Sequence, residues 1–211
     1  MSRSTHVRAV GAFLLLLAGA APLRAQSAQR VSIQLSGLSV GTYGDAYEGL
    51  EPGAGVEAQL RITPGAWSFG IGGQRSSHAT TTPGFTDQQV VLQGVFIEPR
   101  RVIDIGSSRV APYLSARGAW LQQSIDFTLT NGVEFVDVTA NASGAQLNAG
   151  GGLLLRLSPR VNLDLGATVG VIRFGDVLVD VPGLGRTTVS GSSGTGQNVV
   201  LRVGVAIGLG G

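Results

Sequence analysis

From Ala145 to Leu157 the chain alternates. Leu147, Ala149, Gly151, Leu153, Leu155 and Leu157 share one parity, while Gln146, Asn148, Gly152 and Arg156 share the other. A period of two sends successive side chains to opposite faces of an extended strand, so this segment has one apolar face and one polar face. Ser158-Pro159-Arg160 then turns the chain, and Val161, Leu163, Leu165, Ala167, Val169 and Val171 alternate with Asn162, Asp164, Gly166, Thr168 and Gly170. Two long strands joined by a tight turn read as a hairpin. After Gln26 no apolar run approaches the roughly 18 residues of a spanning helix, whereas the alternation recurs throughout.

The same period gives a first strand with Val31, Ile33 and Leu35. A second sets Val56, Ala58, Leu60 and Ile62 against Glu57, Gln59 and Arg61. A third carries Trp67, Phe69 and Ile71, and a fourth, the least regular, Val90, Leu92 and Phe96. A fifth sets Leu114, Ala116 and Trp120 against Ser115 and Arg117, and the last runs from Val199 to Leu209 with Arg202 on its polar face. With the hairpin of 145–171 the count is eight. The connections alternate long and short, as in a membrane barrel with short turns at one end and longer loops at the other. Gly41–Gly53, Ser76–Gln88, 123–143 and Gly175–Gly196 are long, and the turns at Thr63-Pro64-Gly65 and Ser158 are short. Pro99–Arg109 breaks the rule, being longer than a turn at that end requires.

The N-terminus sets the compartment. Arg3 and Arg8 precede an apolar run from Val10 to Ala21 that ends in Pro22, the pattern of a secretory signal peptide, here expected to be cut after Ala25. The expected organisation is a signal peptide over 1–25 and one domain over 26–211. All 15 basic residues are Arg and three precede residue 26, leaving 12 against 13 acids, so the remaining chain is nearly neutral and no nucleic acid is expected as a partner. There is no cysteine, which removes disulfides and thiolate metal sites.

Alternation alone does not say which face looks outward, because a lipocalin-like barrel has the same period with the faces exchanged. Two features favour lipid outside. Trp67, Phe96 and Trp120 fall near strand ends, where interfacial aromatics belong, and strands of about ten residues with one uncharged parity have the length to cross a bilayer. The expected fold is all-β: an eight-stranded antiparallel up-and-down transmembrane β-barrel.

Gln146–Asp176, QLNAGGGLLLRLSPRVNLDLGATVGVIRFGD, together with Pro112-Tyr113-Leu114, resembles the eight-stranded outer-membrane barrels typified by OmpA and OmpX. The resemblance extends over residues 26–211 as a pattern. It implies a location in the outer membrane, lipid around the wall, insertion by the barrel-assembly machinery, an interior filled with side chains, and a role in envelope integrity, adhesion or contact with a surface protein or host. Members commonly end in an aromatic residue, and this chain departs from them with Gly208-Leu209-Gly210-Gly211.

The polar parity supplies the first candidate set. Glu57, Arg61, Gln93, Arg117, Arg156, Asp164 and Arg202 are expected inside, where charges must pair or be hydrated, and a salt-bridge network there would plug the lumen. The second set is a hairpin. Ile125, Phe127 and Leu129 continue the alternation into Asn131-Gly132, a hairpin signal, followed by Val133 and Phe135, and two readings stand equally: the wall extends above the membrane and offers an edge to a partner, or the segment is a loop packed over the barrel mouth. His78, flanked by Ser76 and Ser77, invites comparison with a nucleophile system, yet it reads better as part of a solvated loop, and no catalytic residue is assigned. Asp45, Glu48 and Glu51, and Asp176 and Asp180, are read as solvating acids rather than a cation site. Gly150-Gly151-Gly152 is not followed by a helix, so it is no phosphate cradle and serves close packing within a strand. No cofactor or metal is expected. The leading expectation is a non-enzymatic barrel with a structural or surface-interaction role, ahead of a narrow pore, a lipid-modifying enzyme and a soluble binder of apolar ligands.

Overall fold

The structure, a computed structural model, describes residues 30–81, 88–130, 135–181, 185–189 and 194–209, so the expected signal peptide lies outside the described residues. Ten strands follow one another: β1 Val31–Tyr43, β2 Gly53–Ile62, β3 Trp67–Ala79, β4 Gln89–Val102, β5 Val110–Thr130, β6 Phe135–Arg156, β7 Val161–Phe174, β8 Val177–Val181, β9 Gly185–Val189 and β10 Gly194–Leu209. All described pairings between them are antiparallel. Eight of them, β1 to β7 and β10, form the wall, which closes on itself through β5–β6 at one place and β1–β10 at another. Closure removes free edges from the wall.

The outer face is apolar. Ile33, Leu35, Val56, Leu60, Ile62, Phe69, Ile71, Val95, Ile97, Leu147, Val169, Leu201 and Val203 all project outward, each at least 43% exposed. A continuous apolar surface of this size is untenable in water and natural in lipid. On β10 the band runs outward from Val199 to Leu209, about 33 Å along the strand, which at a tilt near 40° covers a band about 25 Å tall, the height of an outer-membrane hydrocarbon layer. Its upper limit on one side is a row of outward polar residues in direct cross-strand register, Arg75, Gln93, Gln122 and Ser143 on β3 to β6. At the lower end Trp67 stacks on Phe69, with the Arg101 guanidinium 5.6 Å from the Trp67 ring centre.

Short turns join the strands at the lower end, the turn end, and the longer connections lie at the opposite, loop end. The turn between β2 and β3 uses Gly65 at φ 66°, a left-handed conformation that suits glycine after Pro64. Two strand boundaries differ from the sequence expectation. β4 runs on through Pro99 to Val102, so the turn to β5 is only 103–109 and the long connection disappears. Pro99 pairs with Phe69 on the β3 side, while neither Glu98 nor Pro99 is paired on the β5 side, so the missing N–H is tolerated. At the loop end, β5 and β6 continue as one ladder to Thr130↔Phe135, through much of the expected loop of 123–143.

The hairpin β8–β9 is an addition to the eight-stranded wall. β8 pairs with β6 at Thr139, Ala140 and Asn141, beyond the point where β7 leaves off, and β9 pairs with β8. Above the apolar band, β5, β6, β8 and β9 therefore form a four-stranded sheet continuous with the barrel wall.

Candidate functional site

The barrel interior holds the chemistry, and every wall strand contributes to it. Glu57 comes from β2, Glu98 and Arg100 from β4, Tyr113 and Arg117 from β5, Asp164 from β7 and Arg202 from β10, all at inward positions and at most 4% exposed. β1, β3 and β6 add the amides of Gln34, Gln74 and Gln146. The same period of two that turns these residues inward sets an apolar neighbour on the opposite face, Leu35 beside Gln34, Val56 beside Glu57, Ile97 beside Glu98, Leu114 beside Tyr113 and Leu201 beside Arg202.

Glu98 is the hub. Arg100 donates from Nε to its Oε1 at 2.7 Å, Arg202 donates from Nη1 to Oε2 at 2.9 Å and from Nη2 to Oε1 at 3.1 Å, and Arg117 donates to Oε2 from Nη2. Arg117 Nη1 also donates to Glu57 Oε2 at 2.7 Å and to Gln74 Oε1 at 3.1 Å. Asp164 forms a second focus: Arg100 Nη1 and Gln34 Nε2 donate to its Oδ2 at 2.7 and 2.6 Å, and the Tyr113 hydroxyl donates to Oδ1 at 2.6 Å. Two rings take part, with Arg117 lying 4.0 Å from the Phe96 ring centre and Arg100 4.4 Å from that of Tyr113. Carboxylates bound this way accept several charge-assisted hydrogen bonds at once, which offsets the cost of removing them from water.

Tyr113 reaches this cluster because two glycines make room. A Cβ at Gly166 would come within 2.6 Å of the Tyr113 hydroxyl oxygen, and one at Gly152 would strike the Leu165 carbonyl and crowd the same ring. The close packing expected of Gly150-Gly151-Gly152 is thus found, with Gly150 against the Ala167 carbonyl and Gly151 against that of Tyr113.

Of the residues expected inside, Glu57, Arg117, Asp164 and Arg202 are brought together in this cluster, and Arg61 is buried beside it. Arg156 is half-buried at the last position of β6, opposite Asn162, nearer the turn end than Asp164. Gln93 is a correction. It is exposed on the outer face of β4, level with Arg75 and Gln122, and the acceptor it was expected to supply is Glu98. The parity of β4 is reversed for the same reason: Val90, Leu92 and Phe96 point inward and Val95 and Ile97 outward, because this strand is apolar on both faces and its pattern carries no preference. Phe96 is therefore no interfacial aromatic but a platform under Arg117.

The interior is not polar throughout. Toward the loop end Val90, Leu92, Leu121, Ala142, Ile172 and Phe174 pack into an apolar cluster, closed by Tyr47 from a short 3-10 turn, Asp45–Tyr47. The Tyr47 ring meets Phe174 edge-on at 6.5 Å and lies against Gly196, where a side chain would collide with it. Burial pushes the Tyr47 phenol up from 10.0 to about 12. Val102, Ala111 and Tyr113 form a smaller apolar group toward the turn end.

His78 is also a correction. It lies on β3, fully buried, not in a solvated loop. Its Nδ1 lies 3.1 Å from the Glu51 carbonyl, which only accepts, so Nδ1 carries a proton, and Ser76 Oγ lies 3.0 Å from Nε2. This pair is sealed inside the barrel, with Ser76 only 6% exposed, and it joins the β1–β2 loop to β3. Among the described residues no group of three or more His, Asp or Glu is arranged to hold a metal ion.

Of the expected hairpin, the ladder reaches Leu129↔Val136 and Thr130↔Phe135 and the Phe127 position pairs with Val138, while Asn131, Gly132 and Val133 lie outside the described residues. β5 passes its last pairing with β4, at Ile125, by five residues. Polar contacts dress the sheet, with Thr139 donating to Asp126 at 2.7 Å and Arg186 to Asp180 at 3.2 Å.

No family model and no curated protein matches the sequence. Solved structures do match in fold. Neisserial surface protein A superposes with a TM-score of 0.59 at 16% identity, over 85% of this chain and 97% of that one. A major outer membrane protein from Thermus thermophilus superposes with a TM-score of 0.52 at 14% identity, over 84% of this chain and 98% of that one. The chain has the fold of the small eight-stranded outer-membrane barrels.

Proposed function

We propose that this protein is an integral outer-membrane barrel without catalytic activity, and that it acts through the four-stranded sheet at its loop end, which faces the exterior of the cell. The observation that carries this reading is the continuity of that sheet with the wall. β5 extends eight residues beyond Gln122 in the polar row, about 26 Å of further strand, so the sheet is a rigid projection and not a slack loop. Its last strand, β9, is exposed at all five residues, an arrangement that suits strand addition by an extended segment of a surface protein or host partner. The barrel beneath serves as its anchor: lipid surrounds the wall, the barrel-assembly machinery inserts it, and the cluster around Glu98 fills the lumen. The test uses cells displaying either the native protein or a variant in which a short Gly-Ser turn replaces Val177–Ser193. Adhesion to immobilised serum and matrix proteins is expected to fall for the variant at equal surface amounts. Equal adhesion would sink the reading. Mass spectrometry of lipid A from cells with and without the protein tests the absence of catalysis, with unchanged lipid as the expected result.

A further inference from the structure

The buried charges do not balance. Among the described residues, four arginines, Arg61, Arg100, Arg117 and Arg202, are at most 4% exposed inside the barrel, against three equally buried carboxylates, Glu57, Glu98 and Asp164. The carboxylates are committed to Arg100, Arg117 and Arg202, which leaves Arg61 as the surplus charge. Arg61 donates only to neutral acceptors: Ser68 Oγ at 3.1 Å, Gln59 Oε1 at 2.7 Å, and the carbonyls of Glu98 and Ser68 at 3.3 and 3.4 Å. A cation removed from water without a counter-charge keeps a desolvation penalty even after relaxation, so a compensating anion is favoured wherever it fits.

A place for it lies against the same side chain. Between the charged cluster and the turn end is a cavity of about 40 Å³ whose wall includes Arg61, Arg100, Ser32, Ser68, Thr63 and Asn162. Neither Asp nor Glu lines it. No protein acceptor reaches the buried Arg100 Nη2, while the other two donor nitrogens of that guanidinium are held by Glu98 and Asp164. One water needs about 10–15 Å³ of such space, so the cavity takes a monatomic anion with its remaining hydration. Gln34 also borders the cavity, and its Oε1, which has no protein donor, is then met by that hydration and not by the anion.

We infer that this cavity is a halide site in which one chloride, held by Arg61 and Arg100 and by the hydroxyls of Ser32 and Ser68, neutralises the barrel interior. The site is a structural one, independent of any partner at the loop end. The test compares thermal unfolding of the refolded barrel in chloride and in gluconate at the same ionic strength. Replacing chloride is expected to lower the midpoint by about 3–6 °C, the shift for a ligand at roughly ten times its Kd. Arg61→Gln removes the surplus charge and is expected to abolish the difference between the two salts. Should that variant fail to fold, crystals of the native protein soaked in bromide give a second measurement, with an anomalous peak expected between Arg61 and Arg100. Equal midpoints in the two salts, or a bromide-soaked crystal with only water-like density in the cavity, would overturn the assignment.

Discussion

Glu98 receives three arginines, so its loss leaves four buried guanidinium groups, Arg61, Arg100, Arg117 and Arg202, facing only the two carboxylates of Glu57 and Asp164. Breaking a buried pair from one side costs about 3–5 kcal/mol, and Glu98→Gln is expected to lose at least that much in urea unfolding of the refolded barrel. The exposed pair Arg186–Asp180 sets the contrast: Arg186→Ala should change stability by less than about 1 kcal/mol. A Glu98 variant as mild as the Arg186 variant would mean that water solvates the cluster. Tyr47 gives a separate, pH-dependent signature. Its phenol is held up at about 12 while the unfolded chain ionises near 10.0, so its contribution is complete below pH 10 and is lost as the pH rises from 10 to 12. Unfolding measured across that range should show an alkaline loss that shrinks in Tyr47→Phe, and an identical loss in both proteins would remove Tyr47 as its source.

At the scale of strands, the hairpin β6–β7 was legible because its two parities differ so sharply, and the same holds for β2, β5 and β10. The fourth strand was not. With Val90, Leu92 and Phe96 on one face and Val95 and Ile97 on the other, hydrophobicity assigns no inside, and Pro99 reads as the end of a strand that in fact continues. The cost of that misreading was the centre of the site, because Glu98 and Arg100 flank the proline. A signal was present: a carboxylate and a guanidinium two apart share one face of a strand, as Glu57 and Arg61 share theirs. Tyr113 and Gln34 were missed because nothing local distinguishes a tyrosine or amide that faces an ion pair from one that faces water. The hollow that admits Tyr113 is a matter of two neighbouring strands, and it can be tested at that level. Gly166→Ala is expected to cost about 1–3 kcal/mol by overpacking, and Tyr113→Phe in the same chain should restore part of it, since the hydroxyl is the nearest obstacle. If the second change only adds to the loss, the hollow is not what positions the ring.

For the whole molecule, the charged cluster and the apolar group above it lie in series along the barrel axis, and an ion crossing the lumen would have to displace both. Planar-bilayer recordings are therefore expected to show no stable large conductance, and a lasting open pore would contradict the filled interior. The seam between β1 and β10 has a different consequence. It joins the two ends of the described chain over thirteen paired positions, from Val31↔Leu209 to Tyr43↔Gln197. These are the contacts of greatest sequence separation in the wall, and the loop they close is the most expensive in chain entropy. Closure is thus the natural last step of folding. Until it happens β1 carries an unpaired edge whose apolar residues Ile33 and Leu35 would template association with another chain. The period during which β1 waits for β10 is when the polypeptide most needs an escort.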